Sequence, residues 1–244
     1  MKLVNAEYNI SLELEENTIT ILVVEEKKLR YKLVDDLYRQ CAGEDGQFIL
    51  SVNTQIMKLN KVADVIMNPF SIDFNNRKVL TKLYQEIEAY GTERYYEEKQ
   101  RINGDILELF DKIMLNVPYN ITTKLDFELT EICKLYNVQL EVVNDTLLEK
   151  LMEYIRIMSQ LCSLKVFIFV NLTMYLTKDE MKELYSFSFN QKVYLLLIEF
   201  IMPELCNEKG CVIDEDGCII EIGYDNLQHS PGVSFGENPN EFEV

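Results

Sequence analysis

A chain of 244 residues with 48% hydrophobic content suffices for one good core, or for a compact domain carrying a smaller elaboration. Apolar runs stay far below the roughly 18 residues that span a bilayer, and the start MKLVNAEYNISLELEENT has no apolar core of a secretory signal, so a cytoplasmic protein without membrane association is expected. Lys and Arg number 24 against 41 Asp and Glu, a formal charge of -17; such a field repels nucleic acid, and any DNA contact has to come from a local basic strip or a bridging cation.

The first 24 residues read as β structure. ISLELEEN alternates apolar with polar, ITILVV is a short apolar run of the kind found in a covered strand, and Glu15, Glu16 and Asn17 mark a turn between them. In EEKKLRYKLVDDLYRQC, Leu29, Leu33 and Leu37 recur at helical spacing while Lys28, Lys32 and Arg39 lie off that stripe. This predicts a surface helix docked through its leucines. It ends at AGEDGQ; FILSVN then reads as a strand and NTQIMKLN as its return.

From about Asn75 the character changes. NRKVLTKLYQEIEAYGTERYYEEKQRINGDILELFDKIMLNV holds no proline and is rich in helix formers. It predicts one or two long helices that Gly91 and Gly104 interrupt without ending, closed by Pro118 and NITT. LDFELTEICKLYNV starts a further helix with Leu129, Ile132 and Leu135 facing inward. NDTLLEKLMEYIRIMSQLCS carries the stripe Leu148, Leu151, Ile155, Met158 and Cys162. Residues 71–160 are thus read as an antiparallel helical arm inserted between two parts of a sheet-bearing head, 1–70 and 161–222.

KVFIFVN is nearly continuous apolar sequence, the mark of a strand buried on both faces. LTKDEMKELYSF is a helix opened by the capping box Thr177 and Glu180, and KVYLLLIEF is a second buried strand. Strand, helix and strand in that order form a crossover and place the chain in the α/β class. CVIDEDGCIIEI is a hairpin about Asp216 and Gly217, and residues 223–244, acidic and without Lys or Arg, read as a flexible tail.

The sequence offers little catalytic chemistry. It contains neither GxxxxGKS/T nor GxGxxG, and ITILVV runs into EEKK where a phosphate-binding loop would stand. Glu199, near the end of KVYLLLIEF, is the one acidic group placed to hold Mg²⁺ in an NTPase; the plainer reading is a strand-end carboxylate reaching solvent. His229, the single histidine, lies in the tail and cannot support a metal cluster or a triad. The six cysteines are scattered and read as reduced structural thiols. Cys206, Cys211 and Cys218 miss the usual zinc spacing.

Asp126, Glu128 and Glu131 gather at the start of a helix. They are either oxygen ligands for Ca²⁺, with the shell completed by another loop or subunit, or carboxylates favoured there by the helix dipole. Basic residues cluster as Lys27, Lys28, Arg30 and Lys32, as Arg77 and Lys78, and at Lys124 beside the acidic group. Each is a solvated face unless several subunits align it into a positive track.

The run LKVFIFVNLTMYLTKDEMKELYSFSFNQKVYLLLIEF followed by VIDEDGCII resembles the C-terminal head region of the CRISPR type II-A adaptation accessory proteins, the Csn-two family. ITILVVEE, MNPFSIDFNNRKVLTKLY and LDFELTEI are similar to family segments as well, so the likeness spans about residues 1–222. It implies an α/β head resembling a degenerate P-loop fold with an inserted α-helical arm. It further implies a toroidal homotetramer that takes double-stranded DNA through free ends, and Ca²⁺ that stabilises the ring. The partners implied are the CRISPR adaptation integrase complex and the RNA-guided effector nuclease in spacer acquisition, with no catalytic step. Asp126, Glu128 and Glu131 fall in the segment similar to the family's calcium-binding region, and Lys27, Lys28, Arg30, Lys32 and Lys124 are the candidates for the DNA track. The alternatives are a P-loop-related NTPase and a purely structural adaptor that does not bind DNA.

Overall fold

A strand that is apolar at nearly every position has no polar face to give to solvent and must be covered on both sides. The computed structural model of the chain, which describes residues 1–141, 143, 145–204 and 208–222, sets three such strands side by side: β3 (Ile19–Val24), β8 (Tyr194–Glu199) and β7 (Val166–Val170). They run parallel at the centre of a six-stranded sheet. Its order is β10 (Ile219–Ile222), β9 (Glu208–Ile213), β3, β8, β7 and β6 (Ala63–Ile66), with β10 alone antiparallel.

Alternation along these strands divides the core into two layers. Ile19, Ile21, Val23, Phe167, Phe169, Leu195 and Leu197 face one side, where they meet α6 (Leu147–Gln160) and α7 (Lys178–Asn190). Leu22, Val24, Val166, Ile168, Val170, Leu196 and Ile198 face the other. There they meet Leu33, Val34 and Leu37 of α1 (Lys27–Ala42), together with a small antiparallel sheet ordered β2 (Ile10–Glu13), β1 (Lys2–Asn5), β4 (Phe48–Val52) and β5 (Gln55–Met57). In that sheet Leu3 lies opposite both Leu12 and Leu50, so one face is apolar and the other open to water.

Two features go beyond the sequence reading. The β segments of the first 70 residues do not share one sheet, because the alternating ones have a single apolar face and form their own antiparallel layer, while β3 joins the central sheet. Ala63–Ile66, not singled out in the sequence, is the edge strand β6, parallel to β7 and entered through the short helix α2 (Leu59–Val62).

The long polar stretch becomes α3 (Arg77–Arg94) and α4 (Tyr96–Met114), broken at Tyr95 and at neither glycine. A Cβ on Gly91 would lie 2.2 Å from Leu129 Cδ1, which marks where α5 (Leu129–Leu135) crosses α3. Burial would raise the half-buried Glu88 carboxyl of α3; the Thr130 amide (3.0 Å) and the Lys99 ammonium (3.3 Å) outweigh that and hold it below the usual range. One side chain of α3 thereby ties down α4 and α5. On α5, Leu129 and Ile132 are half-buried and Cys133 is buried, whereas Leu135 is 76% exposed; a seven-residue helix has room for one inward face, and Leu135 lies off it. The stripe Leu148, Leu151, Ile155, Met158 and Cys162 is buried as its spacing requires. Its partners, however, are Phe167 and its neighbours in the sheet, so α6 covers the sheet and is not part of a projecting arm.

The β9–β10 hairpin turns at Gly217, which takes φ +81, with its N–H donating to Asp214 O (3.1 Å). Gly210, on β9 opposite Ile21 of β3, has no room for a side chain: a Cβ would stand 1.7 Å from the Ile21 carbonyl oxygen. The obstacle is backbone inside a parallel ladder and cannot turn aside. Gly210→Ala is expected to cost about 1–3 kcal/mol, in the range of core overpacking, and to lower the midpoint of thermal unfolding by circular dichroism by several degrees. An unchanged midpoint would show that β9 is not held against β3 at this distance.

Candidate nucleic-acid interface

In nucleotide-binding α/β proteins the first helix after the central strand offers unpaired N–H groups to a phosphate. Here α1 leaves β3 after two residues, with Glu25 N–H donating to Ile213 O (2.9 Å) and Glu26 as N-cap. The Glu26 carboxylate accepts from the N–H of Lys28 (2.9 Å) and from that of Leu29. These two bonds hold its carboxyl below the usual range. The anion position at this helix start is therefore filled by the chain's own carboxylate, and no glycine loop lies between strand and helix.

The basic residues of α1 project beyond that plug. Lys27, Lys28 and Lys32 are exposed, and none forms an ion pair with a described residue. Lys32 Nζ lies over the Tyr8 ring (5.9 Å), and the half-buried Arg30 stacks its guanidinium on Phe200 (4.3 Å). Lys28 and Lys32 share one face and Lys27 and Arg30 the adjacent one, as steps of four and three residues require. Lys124 stands apart: it belongs to the segment before α5, and its Nζ is 2.9 Å from Glu131 Oε2, so its charge is locally compensated.

The three carboxylates proposed for Ca²⁺ are all exposed and each has a local partner. Asp126 Oδ1 accepts from Phe127 N–H (2.8 Å), Glu128 accepts from Thr130 Oγ1 (3.2 Å), and Glu131 accepts from Glu128 N–H (3.3 Å) as well as from Lys124. Lys124 is the main reason the Glu131 carboxyl lies below its ordinary range. Among the described residues no three metal-binding side chains converge. As placed, this donor set does not make a cation site within one chain: its oxygens serve the start of α5, and a lysine occupies the charge position.

Glu199 differs from the sequence reading of a strand-end carboxylate reaching solvent: it is 2% exposed. Its two oxygens accept from Thr173 N–H (3.2 Å) and Thr173 Oγ1 (2.7 Å), on the 3₁₀ turn Leu172–Met174 that follows β7. The turn is set up by Asn171 in the left-handed region (φ +53), whose Oδ1 accepts from Phe200 N–H (3.2 Å). Glu199, Thr173, Asn171, Arg30 and Phe200 line a cleft of about 640 Å³ at the carboxyl ends of β7 and β8, where open α/β sheets bind ligands. The cleft also reaches Glu208, which accepts from the Tyr185 hydroxyl. Sequence reasoning finds Glu199 and Arg30 but not the partners Thr173, Phe200 and Tyr8, which reach them from other elements.

Cys211 is buried, and burial pushes its thiol up to about 11; Cys218 is exposed. Cys206 and His229 lie outside the described residues, as does the tail 223–244. Among the described residues no helix is long and apolar enough to cross a membrane.

Burial is the main influence on Glu199 and raises its carboxyl, with the Thr173 hydrogen bonds pulling the other way. A carboxyl raised in the folded state holds its proton more tightly there than in the unfolded chain, so it costs stability as pH climbs above its ordinary value of 4.5. Glu199→Gln removes that ionisation. Its unfolding midpoint minus that of the native chain should grow between pH 4.5 and pH 8, and a constant difference would mean that Glu199 ionises as readily folded as unfolded.

The family described as CRISPR-associated protein (Cas_Csn2) matches residues 40–217. That stretch contains Lys124, Asp126, Glu128, Glu131 and Glu199; Lys27, Lys28, Arg30 and Lys32 precede it. Among similar proteins named CRISPR-associated protein Csn2, one from Enterococcus faecalis is 24% identical over 186 residues, covering 74% of this chain and 82% of its own length. One from Streptococcus agalactiae is 26% identical over 211 residues, covering 82% and 90%. The crystal structure of Stu0660 of Streptococcus thermophilus shares the fold, with a TM-score of 0.60 at 14% identity over 96% of this chain and 82% of that one.

Proposed function

Because the chain belongs to the Csn2 family of CRISPR-associated proteins, we propose that it acts as a ring that binds double-stranded DNA ends in type II-A spacer acquisition and catalyses no step itself. The observation that carries this reading is the start of α1, where Glu26 fills the anion position and Lys27, Lys28 and Lys32 point outward. A nucleotide phosphate finds its cradle taken, which weighs against turnover by a P-loop-related head. A phosphodiester backbone passing over the surface meets three exposed ammonium groups, none of them in an ion pair with a described carboxylate and two of them, Lys28 and Lys32, under the electrostatic influence of Glu26. On a chain of charge -17 one such strip is weak, and four copies arranged about a common opening turn it into a continuous track.

The homotetramer, the cytoplasmic setting and the partners, the adaptation integrase complex and the RNA-guided effector nuclease, belong to the same reading. So does Ca²⁺, on one condition: because Asp126, Glu128 and Glu131 do not make a site within one chain, the missing oxygens come from a second copy. The strongly acidic surface favours a second reading, a structural adaptor that holds protein partners and leaves DNA alone.

At low salt the native chain is expected to retain linear duplex and to ignore closed circles of the same sequence. Changing Lys27, Lys28 and Lys32 together to Glu should weaken retention at least tenfold and flatten the salt dependence by roughly 0.9 in log–log slope for each phosphate that is no longer neutralised. Equal retention of closed circles defeats the threaded ring, and partner binding with no DNA retention at any salt gives the adaptor.

Light scattering with and without Ca²⁺ tests the metal. The double variant Asp126→Asn, Glu128→Gln should lose any calcium-dependent gain in mass, and an unchanged gain removes these carboxylates from the site.

A further inference from the structure

The side of α1 next to its docked leucines stays open. Lys27, Arg30, Tyr31 and Tyr38 follow one another at steps of three, one and seven residues and so share one face of the helix. With Met67 just past β6 and Phe200 just past β8 they line a groove of about 510 Å³. Much of its wall is apolar surface left in water: Tyr31, Tyr38 and Met67 are 70%, 55% and 46% exposed. Large side chains grouped in this way mark an interaction site.

Charge selects the occupant. Neither Lys27 nor Arg30 forms an ion pair with a described residue. Arg30 lies over the Phe200 ring (4.3 Å), a contact that uses the face of a guanidinium and leaves its in-plane N–H donors for an acceptor. The carboxylate among the lining residues, Asp35, is 4.0 Å from Arg39 of its own helix. An occupant therefore needs a large apolar side chain for the groove and carboxylates for its edge, and the formal charge of -17 disfavours an anionic bilayer.

The chain carries such a segment itself. Residues 235–243 read FGENPNEFE, with Phe242 between Glu241 and Glu243 and no Lys or Arg. In an extended triplet the central side chain points one way and its neighbours the other. A phenyl ring directed into the groove thus sets both carboxylates at its rim. The segment is also within reach. β10 ends at Ile222, level with Gly210 of β9 and Ile21 of β3, and Ile21 is level with Leu197 of β8. That puts Phe200 about 14 Å across the sheet from Ile222 and about 10 Å along it. The roughly 20 residues from Ile222 to Phe242 span up to about 66 Å.

We propose that the groove between α1 and the ends of β6 and β8 is the docking site of this chain's own acidic segment, with Phe242 in the groove and Glu241 and Glu243 against Lys27 and Arg30. The contact goes beyond the proposed function and does not rest on it. Lys27 also belongs to the DNA strip, so an occupied groove withholds one of its three exposed ammonium groups.

The chain has no tryptophan, so F242W places a single reporter in the full protein. Its emission should lie to the blue of that of the corresponding free peptide, and acrylamide should quench it at least threefold less. K27E/Y31E changes exposed positions only and should remove the protection with helical circular dichroism unchanged. Oxidised M67C/F242C should give a disulfide between residues 67 and 242, identified by peptide mass spectrometry, and K27E/Y31E should slow its formation at least fivefold. A tryptophan quenched as freely as in the peptide, or no disulfide between these residues, overturns the docking and leaves the groove to a separate acidic partner. Protection that K27E/Y31E leaves intact overturns the groove as the site. A covalent dimer of M67C joined through residue 67 gives the groove to a second copy and overturns the proposal as well.

Discussion

Three adjacent strands apolar on both faces, β3, β8 and β7, impose one demand on everything around them: two covers, one for each face. α6 and α7 supply the first. α1 and the small antiparallel sheet supply the second. The demand also explains the course of the chain. The helical stretch leaves the head after the start of α3, where Phe74 and Val79 are still in the core, and it must return before β7 so that α6 can close the sheet. The projecting part is limited to α4, α5 and the outer length of α3, held by the Glu88 carboxylate and the close approach of Leu129 to Gly91.

An acidic chain has carboxylates to use at its helix starts, and this one uses them there repeatedly. Glu26 caps α1, Glu131 closes back on Glu128 at α5, and Glu149 and Glu180 serve the capping boxes of α6 and α7. At α1 two of the N–H groups that a helix start can offer to an anion are satisfied from within. At α5 it is a restraint, because carboxylates already engaged by amides and a lysine do not converge on a cation. Exposed positive charge outside any ion pair with a described residue is found at Lys27, Lys28 and Lys32, beside the Glu26 plug.

Much of the fold is legible because its signals are local. The alternation in ISLELEEN, the unbroken apolar runs of β3, β7 and β8, the Thr177 and Glu180 box and the Asp216 and Gly217 turn each follow from a few consecutive residues. β6 escapes a sequence reading because four residues between a short helix and Pro69 carry no period of their own; that strand exists through its ladder to β7. Leu135 misleads for a related reason, since at helical spacing an inward stripe and its continuation beyond the packed surface look alike. Glu199 shows the same limit at the candidate site: a carboxylate at a strand end reads as solvated until Thr173 arrives from the turn after β7.

The sequence by itself determined the α/β class, most of the elements, the lack of a phosphate-binding loop and the placement of four cations on one helix, because spacing of three or four residues sets a helical face without help from the rest of the chain. Only the tertiary structure decided that the alternating strands leave the central sheet, that α6 is a cover and not an arm, and that Lys124 is neutralised by Glu131. Those outcomes turn on which distant surfaces meet, and periodicity states that a face is apolar without stating what will cover it.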